Sequence, residues 1–557
     1  MTTRNVNLLW KNFRGIRKLN TINSEVEFGA DIAHNVRLSK EKSGQMRSIR
    51  SSGWFDVFTT MTEPVIRLFS ANISGYTASE QLIAFTLDSV NHRINVWKIL
   101  DSLGDSTQTK IAEFNFTTDA DVTDVCMTQW GDRLGMVVAF GSNYLGFVYY
   151  SADAAITGAT QMTGTDWFYI LINASGAGVS CPLTNITSVR PYRSRLAVNG
   201  ITTYSTGGNS RETIYGVWFS EAGNPFNFSE DPITDATDTS AFHVETGEYV
   251  QYIEEYHGLT AFCRNRSYNI TGTSQNDIKV LPLTAQGVFG NAVFTINGQC
   301  AYVDSWAHNI FTLRDNIDGT IGFNDPVGDD IQDYLNDVEN VTVNVIGRRV
   351  RLLKYDGQSL VYDVDVREWT EESFPEHSRA VTFLNKEYVC YGANNVLTIN
   401  DDWNVGRQQT PNENGYYSHY RTNLIWLDSQ SSVKSHLYPF AIILEPQTSN
   451  DFYIKFTTDR GESFEAKIYR AGYTNVATYS NDDNVPSDGS QFVIDDDDLS
   501  GRVFFTMLQT ELLITAERPP FWRYLQIDIY TTDPAQQFNI SGIEAKNTVI
   551  TDELLEY

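Results

Sequence analysis

Short apolar runs bounded by turn residues recur from Trp54 to Tyr391, and this punctuation constrains the fold more than any other feature of the sequence. Runs at 64–70, 81–88, 93–99, 110–116, 136–140 and 144–150 are separated by signals such as Ser102-Leu103-Gly104-Asp105 and Gly141-Ser142-Asn143. The pattern continues at 249–256, 259–263 and 267–271, then at 292–296 and 300–303 around Asn297-Gly298, an Asn-Gly turn of the kind that joins hairpin strands. Runs at 341–346, 349–355, 359–364 and 367–370 form another meander, with Asp356-Gly357 as a turn, and 383–386 and 388–391 open a last unit. Evenly punctuated strands in sets of four predict an all-β propeller of about six to eight blades rather than an α/β enzyme.

The stretch 189–230 shows the unit at close range. An apolar run carries the basic pair Arg193 and Arg195, breaks at Asn199-Gly200, and crosses a Gly/Ser/Asn patch at 207–210. A second strand at 214–219 stops at Ala222-Gly223-Asn224-Pro225, which no regular element can run through. This reads as two antiparallel strands and a rigid loop presenting Phe226 and Phe228. Gly223, Pro225, Phe226, Phe228, Arg193 and Arg195 are therefore the candidate turn and interaction residues.

Three segments follow from these patterns. Residues 1–50 read as an extended basic arm, with Phe13-Arg14-Gly15 as a turn, and residues 51–405 as the propeller. The segment 401–417 loses apolar periodicity, and 418–557 returns to strands at a density that suits a C-terminal β-sandwich. The net charge of −28 excludes a surface built to hold nucleic acid by neutralising phosphates. That charge is uneven: ten Lys/Arg face four Asp/Glu in 1–50, whereas eleven face twenty-four in 401–557.

Cys126, Cys181, Cys263, Cys300 and Cys390 sit in apolar contexts without a C-x-x-C pair, which predicts buried free thiols. Residues 1–20 are polar and basic with no apolar core, and no apolar run is long enough to cross a membrane as a helix, so a chain made and folded in a reducing cytoplasm is expected.

Arg193 through Ala197, followed by Val217-Trp218-Phe219-Ser220 and Gly223-Asn224-Pro225-Phe226-Asn227-Phe228, resembles the blade of the propeller proteins that form the nozzle, or tail hub, of short-tailed bacteriophages. Ala301-Tyr302-Val303-Asp304 ahead of 310–314, and the VYDVDVREW run ending at Trp369, look like further blades of that family. Asn12-Phe13-Arg14-Gly15 is similar to the family's leading arm, although Ile16 stands where a second Gly is common. The resemblance implies a non-enzymatic virion protein of a podovirus-type tail, assembled as a homo-oligomeric, hexameric ring. It also implies portal–adaptor proteins above, tail fibre or cap proteins beside, and double-stranded DNA passing through during ejection without specific binding.

The chemical motifs are sparse. Thr457-Thr458-Asp459-Arg460-Gly461-Glu462-Ser463-Phe464 fits the Asp-box of sialidase-type propellers, a hairpin turn held by its Asp. It keeps open the alternative of a carbohydrate-active, sialidase-like or depolymerase propeller, which would need two carboxylates at a set separation that no pair here is marked for. Asp315-Asn316-Ile317-Asp318-Gly319 lacks the spacing of a calcium loop, and the acidic run 495–498 reads as a solvated loop. His257 and His308 stand alone, away from metal-ligand spacing. No catalytic residue, cofactor or metal is expected.

Overall fold

Seven short strands stand side by side in a closed ring: Val65–Ala71, Val125–Trp130, Val189–Tyr192, Val250–Glu255, Val288–Ile296, Val341–Ile346 and Arg379–Phe383. Each neighbours the next, and the last neighbours the first. In this computed structural model the described residues lie between 3 and 552; the longest stretches outside them are 17–27, 116–123, 150–167, 401–416, 475–501 and 506–520. The chain is an all-β protein that divides into two units, one comprising Val57–Gln358 and Phe374–Asn400, the other Met1–Asp56, Ser359–Ser373 and Asp401–Tyr557.

The first unit is a β-propeller with seven inner strands, within the expected range. Each of the first five inner strands opens a four-stranded antiparallel sheet. The sixth is paired in a hairpin with Arg349–Lys354. The seventh starts a sheet whose outermost strand is Asp56–Thr60, placed beside Val396–Asn400. That strand precedes every blade in the sequence and completes the final one, so hydrogen bonds close the ring, and Phe58 meets Tyr388 edge-on at 5.4 Å.

Blades bury both faces, because each is flanked by two others, and their strands therefore read as continuous apolar runs rather than alternating ones. Gln81–Asp88 is buried at all but one position and Leu259–Cys263 at every position. The apolar cores lie between sheets. One joins Phe85, Phe114, Met127, Val198 and Trp218 of the first three blades, another Phe219, Val250 and Ile270 of the third and fourth. A third joins Leu68 and Leu82 to Phe383 and Tyr388, sealing the first blade to the last.

Two local readings need correction. Asn199-Gly200 is not a break, because Arg195–Thr206 is one strand running through it. The Asn199 side chain instead accepts from Thr187 N, Ser188 N and Ser188 Oγ and donates to Val250 O, so a residue with turn propensity is spent joining a loop to the neighbouring blade. Gly200 is needed for space, since a Cβ there would lie 2.7 Å from Leu183 Cδ1. Likewise 383–386 is a turn, with Leu384 and Asn385 at φ +48° and +60°, between Arg379–Phe383 and Lys386–Cys390.

The second unit is a β-sandwich in which the N-terminal residues take part. Thr3–Trp10 runs antiparallel along Asn539–Asp552, from Thr3 opposite Thr551 to Trp10 opposite Ile543. Phe13–Ile16 is a parallel partner of Phe28–His34, which pairs in turn with His419–Thr422. The described strands within residues 1–50, a stretch read from sequence as an extended arm, thus belong to the same unit as those of 401–557. Phe13-Arg14-Gly15 is a strand rather than a turn, and a Cβ on Gly15 would lie 2.2 Å from Trp369 O. Here burial alternates, as expected for sheets with one covered face: Phe452, Ile454 and Phe456 are buried between half-buried Tyr453 and Lys455. The Asp-box strands pair as expected, with Thr457 opposite Ser463, while its turn, 459–462, lies outside the described residues.

Candidate functional site

The inner strands of the propeller enclose an axial cavity of about 240 Å³ to which all seven contribute. Its polar wall comes from residues within a few positions of each strand's start: Arg67, Asp124, Arg190, Tyr252, Asn291 and Thr342. Inner strands converge on the axis, so a long side chain there reaches residues from several blades.

Arg67 Nη1 donates to Asp124 Oδ2 at 3.1 Å and to Thr342 Oγ1 at 3.4 Å, joining the first blade to the second and sixth. Arg379 Nε approaches the same Asp124 carboxylate at 3.9 Å. Arg190 donates to Glu254 from Nε at 3.1 Å and Nη2 at 2.9 Å, donates also to the Tyr252 hydroxyl, and lies 4.9 Å from the centre of the Tyr252 ring. Burial raises the Tyr252 phenol well above its usual range, so it stays protonated at any physiological pH. Arg67 and Arg379 thus both approach the Asp124 carboxylate, while Arg190 is paired with Glu254.

Two groups in this wall have hydrogen-bonding capacity left over. Nε and Nη2 of Arg67 have no partner among the described residues, and neither does the buried Oδ1 of Asn291. Cys126 also lines the cavity and is a half-buried free thiol, whereas Cys263, Cys300 and Cys390 are fully buried. Burial pushes the Cys390 thiol up to about 12 and Cys300 well above the usual thiol range, which makes both inert.

The residues singled out from sequence lie elsewhere. Gly223 is exposed at φ +77° in the predicted turn, and Pro225 beside it is buried. Phe226 lies outside the described residues. Phe228 is not presented to solvent but is 4% exposed in the core between blades. Arg193 occupies a tight turn at φ +54° with its guanidinium 5.6 Å from the Tyr192 ring.

Arg195 neither faces a channel nor pairs with an acid. It is 2% exposed and donates to the carbonyls of Thr273, Ser220, Thr239, Ser240 and Asp238 at 2.6–3.2 Å. The axial arginine of this blade is Arg190. Arg67, Asp124, Arg190 and Tyr252 each lie within two residues of the valine that opens their inner strand, a shared position that shows only once the strands are aligned in the ring.

No family model matches the chain, and no curated protein sequence matches it. Among solved structures it is similar to BamB from Moraxella catarrhalis, at 10% identity and a TM-score of 0.34, over 72% of this chain and 97% of that one. It is also similar to a putative 6-phosphogluconolactonase from Bacteroides fragilis, at 10% identity and a TM-score of 0.33, over 66% and 93% of the two chains. Likeness at this level carries no functional argument, and the propeller rests on its own closed ring of strands. Among the described residues no helix is long and apolar enough to cross a membrane, and no three His, Cys, Asp or Glu side chains cluster as a metal site.

Proposed function

We propose that this chain is a non-enzymatic structural subunit of a short phage tail, forming the nozzle or hub ring that retains and then conducts the genome. The observation that carries this reading is the double closure of the chain: Thr3–Trp10 is hydrogen-bonded along Asn539–Asp552, and Asp56–Thr60 completes the last propeller blade. Antiparallel pairing over many residues resists being pulled apart, which suits a part that bears the pressure of a packaged genome. The strongly acidic composition fits as well, since a surface that repels phosphate does not retain exiting DNA.

The propeller axis itself is no conduit. A cavity of about 240 Å³ cannot admit a duplex whose major groove alone is about 12 Å wide. In this proposal the channel is formed between copies of the chain, in a homohexameric ring that meets portal–adaptor proteins above and fibre or cap proteins beside it. Electron microscopy of the purified protein, alone and mixed with a portal–adaptor complex, tests it. Rings with a central opening wide enough for a duplex are expected, and a persistent monomer under both conditions would refute the reading.

A further inference from the structure

We infer that the axial cavity is a binding site for a small hydroxycarboxylate, a monoanion with at least one free hydroxyl. This is independent of whether the chain belongs to a phage tail. The cavity is large enough for a molecule rather than a water or two, and polar groups from several blades converge on it. Arg67 supplies the anion contact, because its Nε and Nη2 form the side of a guanidinium fork left open after Nη1 is spent on Asp124 and Thr342. A planar fork with two parallel donors matches a carboxylate.

Charge selects a single negative unit. Asp124 already places a negative charge 3.1 Å from Arg67 Nη1, so a ligand that brings one negative unit to the open fork meets less repulsion than a dianion would. Asn291 supplies the second contact. Its Oδ1 is buried without a partner, and a buried acceptor left unsatisfied is costly enough to call for a donor, which the ligand's hydroxyl provides.

Cys126 makes the site measurable in the intact protein, since it lines the cavity and is more accessible than Cys263, Cys300 and Cys390. The full chain is treated with iodoacetamide, and modification of Cys126 is followed by peptide mass in the presence of glycerate, galacturonate, galactose or inorganic phosphate. At least one of the two carboxylates is expected to protect Cys126, whereas galactose, which lacks the carboxylate of galacturonate, does not. Arg67→Gln is expected to abolish protection. Asn291→Ala removes no hydrogen bond of the fold and remains informative if the arginine variant fails to fold; it is expected to raise the half-protecting concentration about tenfold. Absence of protection by either carboxylate overturns the inference. So does protection by phosphate equal to that by the carboxylates and unchanged in Asn291→Ala, which would mean that charge alone holds any oxyanion.

Discussion

Arg351 Nε donates to Glu387 Oε1 at 2.9 Å, and both side chains are only 2% exposed. The pair joins the sixth inner hairpin to the seventh blade, with Asn344 donating to the same carboxylate oxygen at 2.7 Å and the Arg351 guanidinium 4.4 Å from the centre of the Phe374 ring. A buried pair of this kind adds little net stability over an apolar one, but breaking it leaves a bare charge. Glu387→Ala is expected to destabilise the propeller by about 3–5 kcal/mol. The double replacement Arg351→Met with Glu387→Leu should cost far less. Urea unfolding midpoints of the two variants check the contrast, and equal losses would contradict it.

Arg195 is a second buried cation, compensated by carbonyl dipoles instead of an acid. Burial lowers its pKa, yet guanidinium basicity keeps it charged. Arg195→Met removes the donors from several buried carbonyls together, and a loss of about 3 kcal/mol or more is expected. The loss should be local first: amide exchange should accelerate in residues 237–245 before it does elsewhere.

His243 gives the third blade a pH dependence. Its Nδ1 lies 2.7 Å from Glu230 Oε1, its Nε2 3.6 Å from Glu245, and its ring stacks on Trp218 at 5.8 Å. Burial opposes the charged ring, but the hydrogen bond to Glu230 and the two carboxylate charges outweigh it and raise the pKa above the ordinary 6.5. A folded-state pKa above the unfolded one contributes stability that is complete below about pH 6.5 and is lost as pH rises through the folded value. The unfolding midpoint should therefore fall as pH rises above about 6.5, and His243→Gln should flatten that slope.

Closure of the ring by Asp56–Thr60 is testable through the contact of Phe58 with Tyr388. A double-mutant cycle of Phe58→Ala and Tyr388→Ala is expected to give a coupling of about 1 kcal/mol. A coupling near zero would mean that the strand does not close the propeller in solution.

Gly15→Ala tests the anchoring of the N-terminal residues. The added Cβ would meet the backbone oxygen of Trp369, which cannot move aside as a flexible side chain can. A loss of about 1–3 kcal/mol is expected in the unit containing Phe13–Ile16, read as earlier proteolysis of the N-terminal strands.

The propeller was legible where the apolar residues of a strand run together between turn signals. Gln81–Asp88, Leu259–Cys263, Ser267–Thr271 and Val341–Ile346 match their sequence runs residue for residue. Val125–Trp130 escaped notice, as its apolar residues are interrupted by Thr128 and Gln129. Asn199 misled for a physical reason: its side chain has the same capacity to bond backbone groups in a turn as between blades, and only the tertiary structure decides which.

The axial site was not legible. Arg67, Asp124, Arg190 and Asn291 become neighbours only when the ring closes, and nothing in their separate sequence contexts records that.

The pairing of Thr3–Trp10 with Asn539–Asp552 also sets an order in time. Thr3–Trp10 is translated several hundred residues ahead of its partner, and at about 5–20 residues per second it waits roughly half a minute to two minutes for it. The propeller blades, made of contiguous hairpins, can assemble within that interval, while the sheet that pairs these two strands forms only once Asn539–Asp552 has been made. Until then the unpaired edge of Thr3–Trp10 is a surface that chaperones or proteases can recognise.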